Sequence, residues 1–387
     1  MRVLLISHSC HSRTEGQQRA QRLARLSGIE LRVLVPDRYK ESGKWRTIDI
    51  PENPEYEFQL GKVMWPWLGP AQIYLHWYPE LARTLRSFKP DIIDLWEEPW
   101  GLVSVHACWL RNRILPSAKI VSETEANINR THPFPFNQFR TYTLRNTDYA
   151  ISRQQEGVSV LREKGYEGPV KVIGNAVDVE IFSPMNREAC RSRLGLSGFV
   201  AGYVGRLVEM KGLMDMVEAL RLCSPEVNLL FVGSGSYQAD LEKRLAELNL
   251  SSRAKFLAPR TMEGLPEVMN AMDTLLLVSQ TTATWKEQFG RVIIEAHACE
   301  TPVIGSDSGA IPEVIGEGGI VVPEKNPAAL AAAIARLQND PALARSMGRT
   351  GRRQVLASYS WERVAEQMRD VYLSTIEQPN TKEMAVR

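Results

Sequence analysis

Short apolar runs rich in β-branched residues alternate with amphipathic stretches from one end of this 387-residue chain to the other. That alternation limits the fold more than any single motif. In the first half the strand-like runs are Val3–Ser7, Leu31–Pro36, Asp91–Trp96, Lys119–Glu123, Asp148–Ser152 and Val170–Ile173. In the second half they are Phe199–Val204, Asn228–Val232, Lys255–Leu257, Thr274–Val278, Pro302–Gly305 and Ile320–Val322. Between them lie helix-like segments such as Gln17–Ser27, Ala71–Phe88, Leu213–Leu222, Tyr237–Leu248, Gly290–Cys299 and Pro327–Leu337. Continuous apolar strands separated by crossover helices predict a parallel sheet covered on both faces. The pattern occurs twice, so the expected fold is α/β, with two Rossmann-like doubly wound domains.

The boundaries expected are a first domain over 1–182, a linker over 183–198, a second domain over 199–358 and a terminal segment over 359–387. Phe182-Ser183-Pro184 breaks the pattern at the join. Ser360, two residues before Glu362, is the expected N-cap of the last helix. The final residues from Glu377 are expected to fray.

Composition removes whole classes of function. With 44% hydrophobic and 24% charged residues the chain is neither disordered nor collagen-like. A net charge of +2 gives no footprint for nucleic acid. Five scattered Cys without a Cys-x-x-Cys pair suit a reducing compartment and offer no thiolate zinc site. The apolar start is too short for a signal core, and no run reaches the length of a membrane span. The expected location is the cytoplasm. Up to Asp178 there are 24 Lys and Arg against 20 Asp and Glu, whereas the remainder has 23 against 25, and seven of nine Trp lie in the first part. Arg19, Arg22 and Arg25, with the aromatic clusters Trp65-Pro66-Trp67 and His76-Trp77-Tyr78, suggest a peripheral contact with anionic membrane at its inner face. A solvated helix face and packed core aromatics would read the same way.

In open α/β sheets, ligands sit beyond the carboxyl ends of the strands, so the loops after the strands carry the functional candidates. Gly205-Arg206-Leu207-Val208-Glu209-Met210-Lys211-Gly212 follows one strand and precedes a helix. Gly205 lets backbone approach a ligand, and Arg206 and Lys211 add the positive charge that suits a diphosphate. Glu287-Gln288-Phe289-Gly290, followed by Glu295, places one carboxylate on the loop before a helix and another two turns inside it. Both are acceptors for sugar hydroxyls, although a capping Glu and a solvent-facing Glu would look alike. Gly233-Ser234-Gly235 lacks the third glycine of a nicotinamide fingerprint, since Gln238 stands there, and reads as a tight turn near a ligand. Ser306 to Glu313 repeats the arrangement of strand, small residues and helix. P-loop, nucleophile-elbow, His-Glu-x-x-His and Asp-x-Asp motifs are all missing.

Taken in this order, the loops resemble those of the retaining glycosyltransferases of family 4, with the GT-B fold. The resemblance rests on Gly205-Arg206-Leu207 with Lys211-Gly212, Val232-Gly233-Ser234-Gly235, Glu287 with Glu295 around Phe289-Gly290, and Ser308-Gly309 with Pro312-Glu313. Val172 to Asp178 with Phe182, and Ser360-Trp361-Glu362, are similar to the family's linker and last helix. It implies two domains facing across a cleft, a C-terminal helix that returns to the first domain, and a nucleotide sugar bound mainly by the second. Arg206 and Lys211 would neutralise the diphosphate, and Glu287 would hold the sugar hydroxyls, these three carrying the catalysis. Glu295 would hold the ribose, with Arg260 beside the base. Gly16, Gly205, Gly233, Phe289 and Gly290 would complete the nucleotide-sugar site.

No cofactor or metal is implied, and retention by front-face attack would leave the acceptor's proton on the departing phosphate. The donor would be of UDP or GDP type and the acceptor a glycan, glycolipid or lipid-linked sugar. An epimerase of the same fold and a non-catalytic partner protein are the alternatives. The first domain departs from the family. Ser7-His8-Ser9-Cys10-His11 replaces the common Gly-Gly, and Glu97-Glu98-Pro99 replaces His-Glu-Pro, leaving Glu98 and Glu123 as the expected acceptor contacts.

Overall fold

The computed structural model describes residues 1–41, 44–65, 68 and 72–377. The chain divides into two compact units, one formed by Met1–Ile173 with Val364–Arg387, the other by Gly174–Arg363. The expected tail from Glu377, beyond that residue itself, lies outside the described residues, as do Pro66 and Trp67 of the first aromatic cluster.

The first unit holds β1 (Arg2–Ile6), β2 (Glu30–Pro36), β3 (Tyr39–Glu41), β4 (Lys44–Arg46), β5 (Glu57–Gly61), β6 (Ile92–Leu95), β7 (Lys119–Thr124), β8 (Tyr149–Ser152) and β9 (Val170–Val172). Seven of these form one sheet in the order β5-β2-β1-β6-β7-β8-β9, every pairing parallel, while β3 and β4 form a separate antiparallel hairpin. Leu4, Ile6, Leu34, Ile93, Leu95 and Ile120 are fully buried in its core. Strands buried on both faces need no polar alternation, which is why they read as unbroken apolar runs.

The second unit holds β10 (Phe199–Val204), β11 (Val227–Val232), β12 (Ala254–Leu257), β13 (Thr274–Leu277), β14 (Val303–Ser306) and β15 (Gly319–Val322), in the order β12-β11-β10-β13-β14-β15, again parallel throughout. Its core gathers Val200, Ala201, Leu230, Phe231, Leu275, Leu276 and Ile304 with Leu213, Val217, Ile293 and Ile294 from the covering helices.

Several expectations need correction. The hairpin β3–β4 and edge strand β5 were not expected, because residues 37–61 contain no apolar β-branched run. The helix expected over Ala71–Phe88 is two pieces, Gln72–Leu75 and Leu81–Phe88. Pro79 lies in the gap between them, where proline removes a backbone donor and resists helical continuation. The stretch 183–198 is no plain linker. Asn186 accepts the Ala189 N–H at 2.9 Å and caps the helix Arg187–Leu194, which buries Cys190 and belongs to the second unit. Ser360 does cap the last helix, accepting the Arg363 N–H at 3.3 Å, and from Val364 onward that helix is part of the first unit.

The basic stripe expected for a membrane also fails at its first member. The Arg19 side chain is 1% exposed and locked in an ion network, so a lipid surface cannot reach it. His76 and Tyr78 are buried as well. No helix among the described residues is long and apolar enough to cross a membrane.

Candidate active site

The second sheet reverses its direction of winding between β10 and β13, so the loops following those strands diverge and leave room at their carboxyl ends. Lys211 closes a short 3-10 turn, Glu209–Lys211, on the loop after β10. Its Nζ donates to Oε2 of Glu287 at 2.6 Å and lies 4.7 Å from the centroid of the Trp285 ring. Ser279, just past β13, donates its Oγ–H to the same Glu287 oxygen at 2.7 Å. Both members of the pair are mostly sheltered, with side chains 14% and 11% exposed. An ammonium held by a carboxylate and an indole face is fixed in place before any ligand arrives, the arrangement electrostatic catalysis requires.

The neighbouring loops are tied to this pair. The Glu287 carbonyl accepts the Ala310 N–H at 3.1 Å. Gly309, at φ +54, backs onto it so closely that a Cβ there would stand 2.1 Å from the Glu287 oxygen. Thr281 hydrogen-bonds Ser308 at 2.9 Å, and its N–H donates to Glu324 at 2.7 Å, joining the segments after β13, β14 and β15. On the other side, Tyr203 donates its hydroxyl to the Arg206 carbonyl at 2.8 Å. Burial, reinforced by the Glu287 charge, pushes the Tyr203 hydroxyl up against the pull of Arg206, so it serves as a neutral donor. Arg206 itself is exposed.

Gly233 and Gly205 bring two loops into backbone contact. At Gly233, with φ +148, a Cβ would lie 1.9 Å from the Gly205 carbonyl oxygen. Gly233→Ala should force these loops apart, costing about 1–3 kcal/mol of stability. Thermal melts beside titration with a nucleoside diphosphate would show it, through a lowered Tm and affinity reduced at least tenfold. An unchanged variant would contradict the close approach.

The structure thus brings Lys211 and Glu287 together and sets Gly205, Arg206 and Gly233 on the adjoining loops. Phe289 is buried with its ring edge-on to Tyr359 at 5.7 Å, and Gly290 precedes the helix Arg291–Ala298. Glu295 is the fifth residue of that helix and 9% exposed, a little over one turn in rather than two. Arg260 is exposed after β12. Trp285 and Ser279 escaped the sequence reading because neither has a diagnostic spacing; the polar run Ser279-Gln280-Thr281 at a strand end was the available signal.

Gly16, Glu98 and Glu123 lie in the first unit. Gly16 begins the helix Gly16–Ala24 and packs on the turn His8–His11, where a Cβ would stand 2.5 Å from the Ser9 carbonyl oxygen. Glu98 accepts the Thr124 hydroxyl at 2.8 Å and the Glu125 N–H at 2.9 Å. Burial pushes its carboxyl up to about 7, with the Glu125 N–H working against the shift. Glu123 is committed elsewhere. Its carboxylate, 1% exposed, takes up the guanidiniums of both Arg19 and Arg153, which removes it from the expected acceptor contacts. Among the described residues no group of His, Cys, Asp and Glu is placed to hold a metal ion.

Residues 187–354 match the family described as glycosyl transferases group 1. A D-inositol 3-phosphate glycosyltransferase of Corynebacterium jeikeium is 30% identical over 299 residues, 72% of this chain and 67% of that relative. A GDP-mannose-dependent monoacylated alpha-(1-6)-phosphatidylinositol monomannoside mannosyltransferase of Corynebacterium glutamicum is 32% identical over 52% of this chain and 55% of its own length. Other inositol 3-phosphate relatives are likewise matched over about half their length, 51% and 55%. Among solved structures, Anabaena HepE in complex with UDP-glucose superposes with a TM-score of 0.69 at 19% identity, covering 97% of this chain and all of that one. The parallel-sheet units, the order of the glycine-bearing loops and these matches agree: the chain belongs to the glycosyl transferases group 1 family and has the GT-B fold.

Proposed function

We propose that this protein transfers a sugar from a nucleoside-diphosphate sugar, of UDP or GDP type, to a hydroxyl of a glycan, glycolipid or lipid-linked acceptor, with retention and without a metal. The observation that carries the reading is Lys211, held by Glu287 and Trp285 at the carboxyl end of the second sheet. Cleavage of the glycosyl–phosphate bond places negative charge on the leaving diphosphate. A preorganised ammonium stabilises that charge as it develops, with Arg206 on the same loop adding a second. Glu287 then exchanges part of its bond with Lys211 for the donor's hydroxyls. Glu295 holds the ribose, Arg260 lies beside the base, and the backbone at Phe289 and Gly290 lines the sugar. Gly16 and Glu98 serve the first unit's side, Glu98 as an acceptor contact. A structural neighbour solved in complex with UDP-glucose and a relative named as GDP-mannose-dependent support keeping both donor classes.

The test is release of UDP from UDP-glucose and of GDP from GDP-mannose, with and without D-inositol 3-phosphate, in the presence of EDTA. Release from one donor that EDTA leaves unchanged is the expected result. Loss of release on chelation would overturn the metal-independent mechanism, and an altered nucleotide sugar with no nucleotide released would point to epimerisation.

A further inference from the structure

The loop that follows β7 gathers positive charge on the first unit. Arg130 and His132 lie on it, Arg140 on the helix Phe136–Asn146 that it enters, and Lys164 just past the helix Gln155–Glu163. Two bonds tie these pieces together. Arg140 Nη1 donates to the Arg130 carbonyl at 3.2 Å, and Asn129 donates its amide to Glu163, the neighbour of Lys164. The His132 N–H donates to Asn137 Oδ1 at 3.1 Å, and its ring stacks on Trp100 with centroids 4.7 Å apart. Among the described residues, none of Arg130, Arg140 and Lys164 stands in an ion pair.

Burial holds Arg140 and Lys164 below their usual ranges; the Arg140 charge presses Lys164 the same way, and Glu163 opposes it. Burial also lowers the His132 ring, and Arg140, Lys164 and Arg130 add to that, so the ring is the uncharged member of the group. Like charges drawn together and partly withdrawn from water cost free energy, which an anion between them would offset. The helix Phe136–Asn146 adds the positive end of its dipole, since it starts without a capping side chain or an acidic residue in its first turn.

We propose that this cluster binds a phosphomonoester, held by Arg130, Arg140 and Lys164 with the His132 ring beside them. The site lies wholly in the first unit and goes beyond the transfer reading, on which it does not depend. Three cations less the Glu163 charge leave two positive charges, against roughly one and a half to two negative charges on a phosphomonoester. Its three oxygens can engage three cations at once, whereas a carboxylate offers only two. The phosphate has two sources, a soluble ester and a lipid headgroup. Phe134, 82% exposed on the same loop, is the residue that would enter a lipid surface in the second case.

The test titrates the full chain with glycerol 3-phosphate by calorimetry, and floats it with phosphatidylcholine vesicles that contain or lack phosphatidic acid. At least one arm should show binding, and Arg130→Gln combined with Lys164→Gln should weaken it by about tenfold or more. Neither of those side chains makes the bonds that tie the loop together, so the variant keeps its fold. Arg83→Gln combined with Arg86→Gln takes the same charge from the helix Leu81–Phe88 and should bind as wild type does, as should Lys211→Ala. Binding in the calorimeter alone identifies a soluble ester; flotation that requires phosphatidic acid and falls in Phe134→Ser identifies a headgroup. No binding tighter than about 1 mM in either arm would overturn the proposal, as would an equal loss in the Arg83 and Arg86 control. An equal loss in Lys211→Ala would place the phosphate in the second unit and overturn it too. None of these results bears on the transfer reading, which nucleotide release tests separately.

Discussion

Lys211→Ala should lower donor turnover by about 10²–10³-fold, the usual cost of removing one preorganised donor to a developing oxyanion. The reasoning is local. Lys211 sits at the end of a loop clamped by backbone bonds, Lys211 N–H to the Val208 carbonyl at 3.1 Å and Gln280 N–H to the Met210 carbonyl at 2.8 Å, so truncating its side chain leaves the loop in place. Glu287 keeps its bond from Ser279 but loses its cation, so the variant should melt below wild type while remaining folded at assay temperature. Steady-state nucleotide release, measured below that melting point, should show the loss in kcat. Turnover within a few-fold of wild type, in a folded variant, would remove Lys211 from the mechanism.

The largest stability effect is expected in the other unit. Arg19 joins Asp94 at 2.9 Å and Glu123, Arg153 shares the Glu123 Oε2 with it, and Tyr372 on the last helix donates to Asp94 at 2.6 Å. The Arg19 guanidinium also lies 4.4 Å from the Trp96 ring centroid. Burial and the neighbouring Glu123 charge push Asp94 up to about 8. Burial would raise Glu123 too, but the two arginines hold it below the usual range. Arg19→Met would leave two buried carboxyl groups short of their shared cation, and breaking a buried pair from one side costs about 3–5 kcal/mol. Arg25→Met, just past the end of the same helix, breaks only an exposed pair with Glu55, 51% and 48% exposed, worth under about 1 kcal/mol. Urea unfolding of the two variants gives the contrast directly. Equal midpoints would contradict the part assigned to the network in holding the last helix on the first sheet.

The segments of the proposed donor side were largely legible in the sequence, for a physical reason. The residues assigned to it lie on short contiguous segments at strand ends, where Gly205, Lys211, Gly233 and Glu287 each stand beside the turn that places them. The strands buried on both faces were legible for the same reason, since an unbroken apolar run is itself the signal. The first unit's chemistry is assembled from distant residues. Arg19 and Glu123 are 104 positions apart. No local pattern distinguishes an arginine that pairs inside the core from one on a solvated face, so Arg19 read as a surface charge and Glu123 as a ligand contact. Edge strand β5 was missed because half-exposed Glu57-Phe58-Gln59-Leu60-Gly61 lacks the apolar run that marks the central strands.

Calorimetric titration with UDP, GDP, ADP and CMP, on wild type and Lys211→Ala, tests the central claim most directly. One nucleoside diphosphate should bind the wild-type protein and lose its affinity in the variant, which would locate the donor site on the Lys211–Glu287 pair and name the base. Binding of none, or equal binding to both proteins, would contradict it.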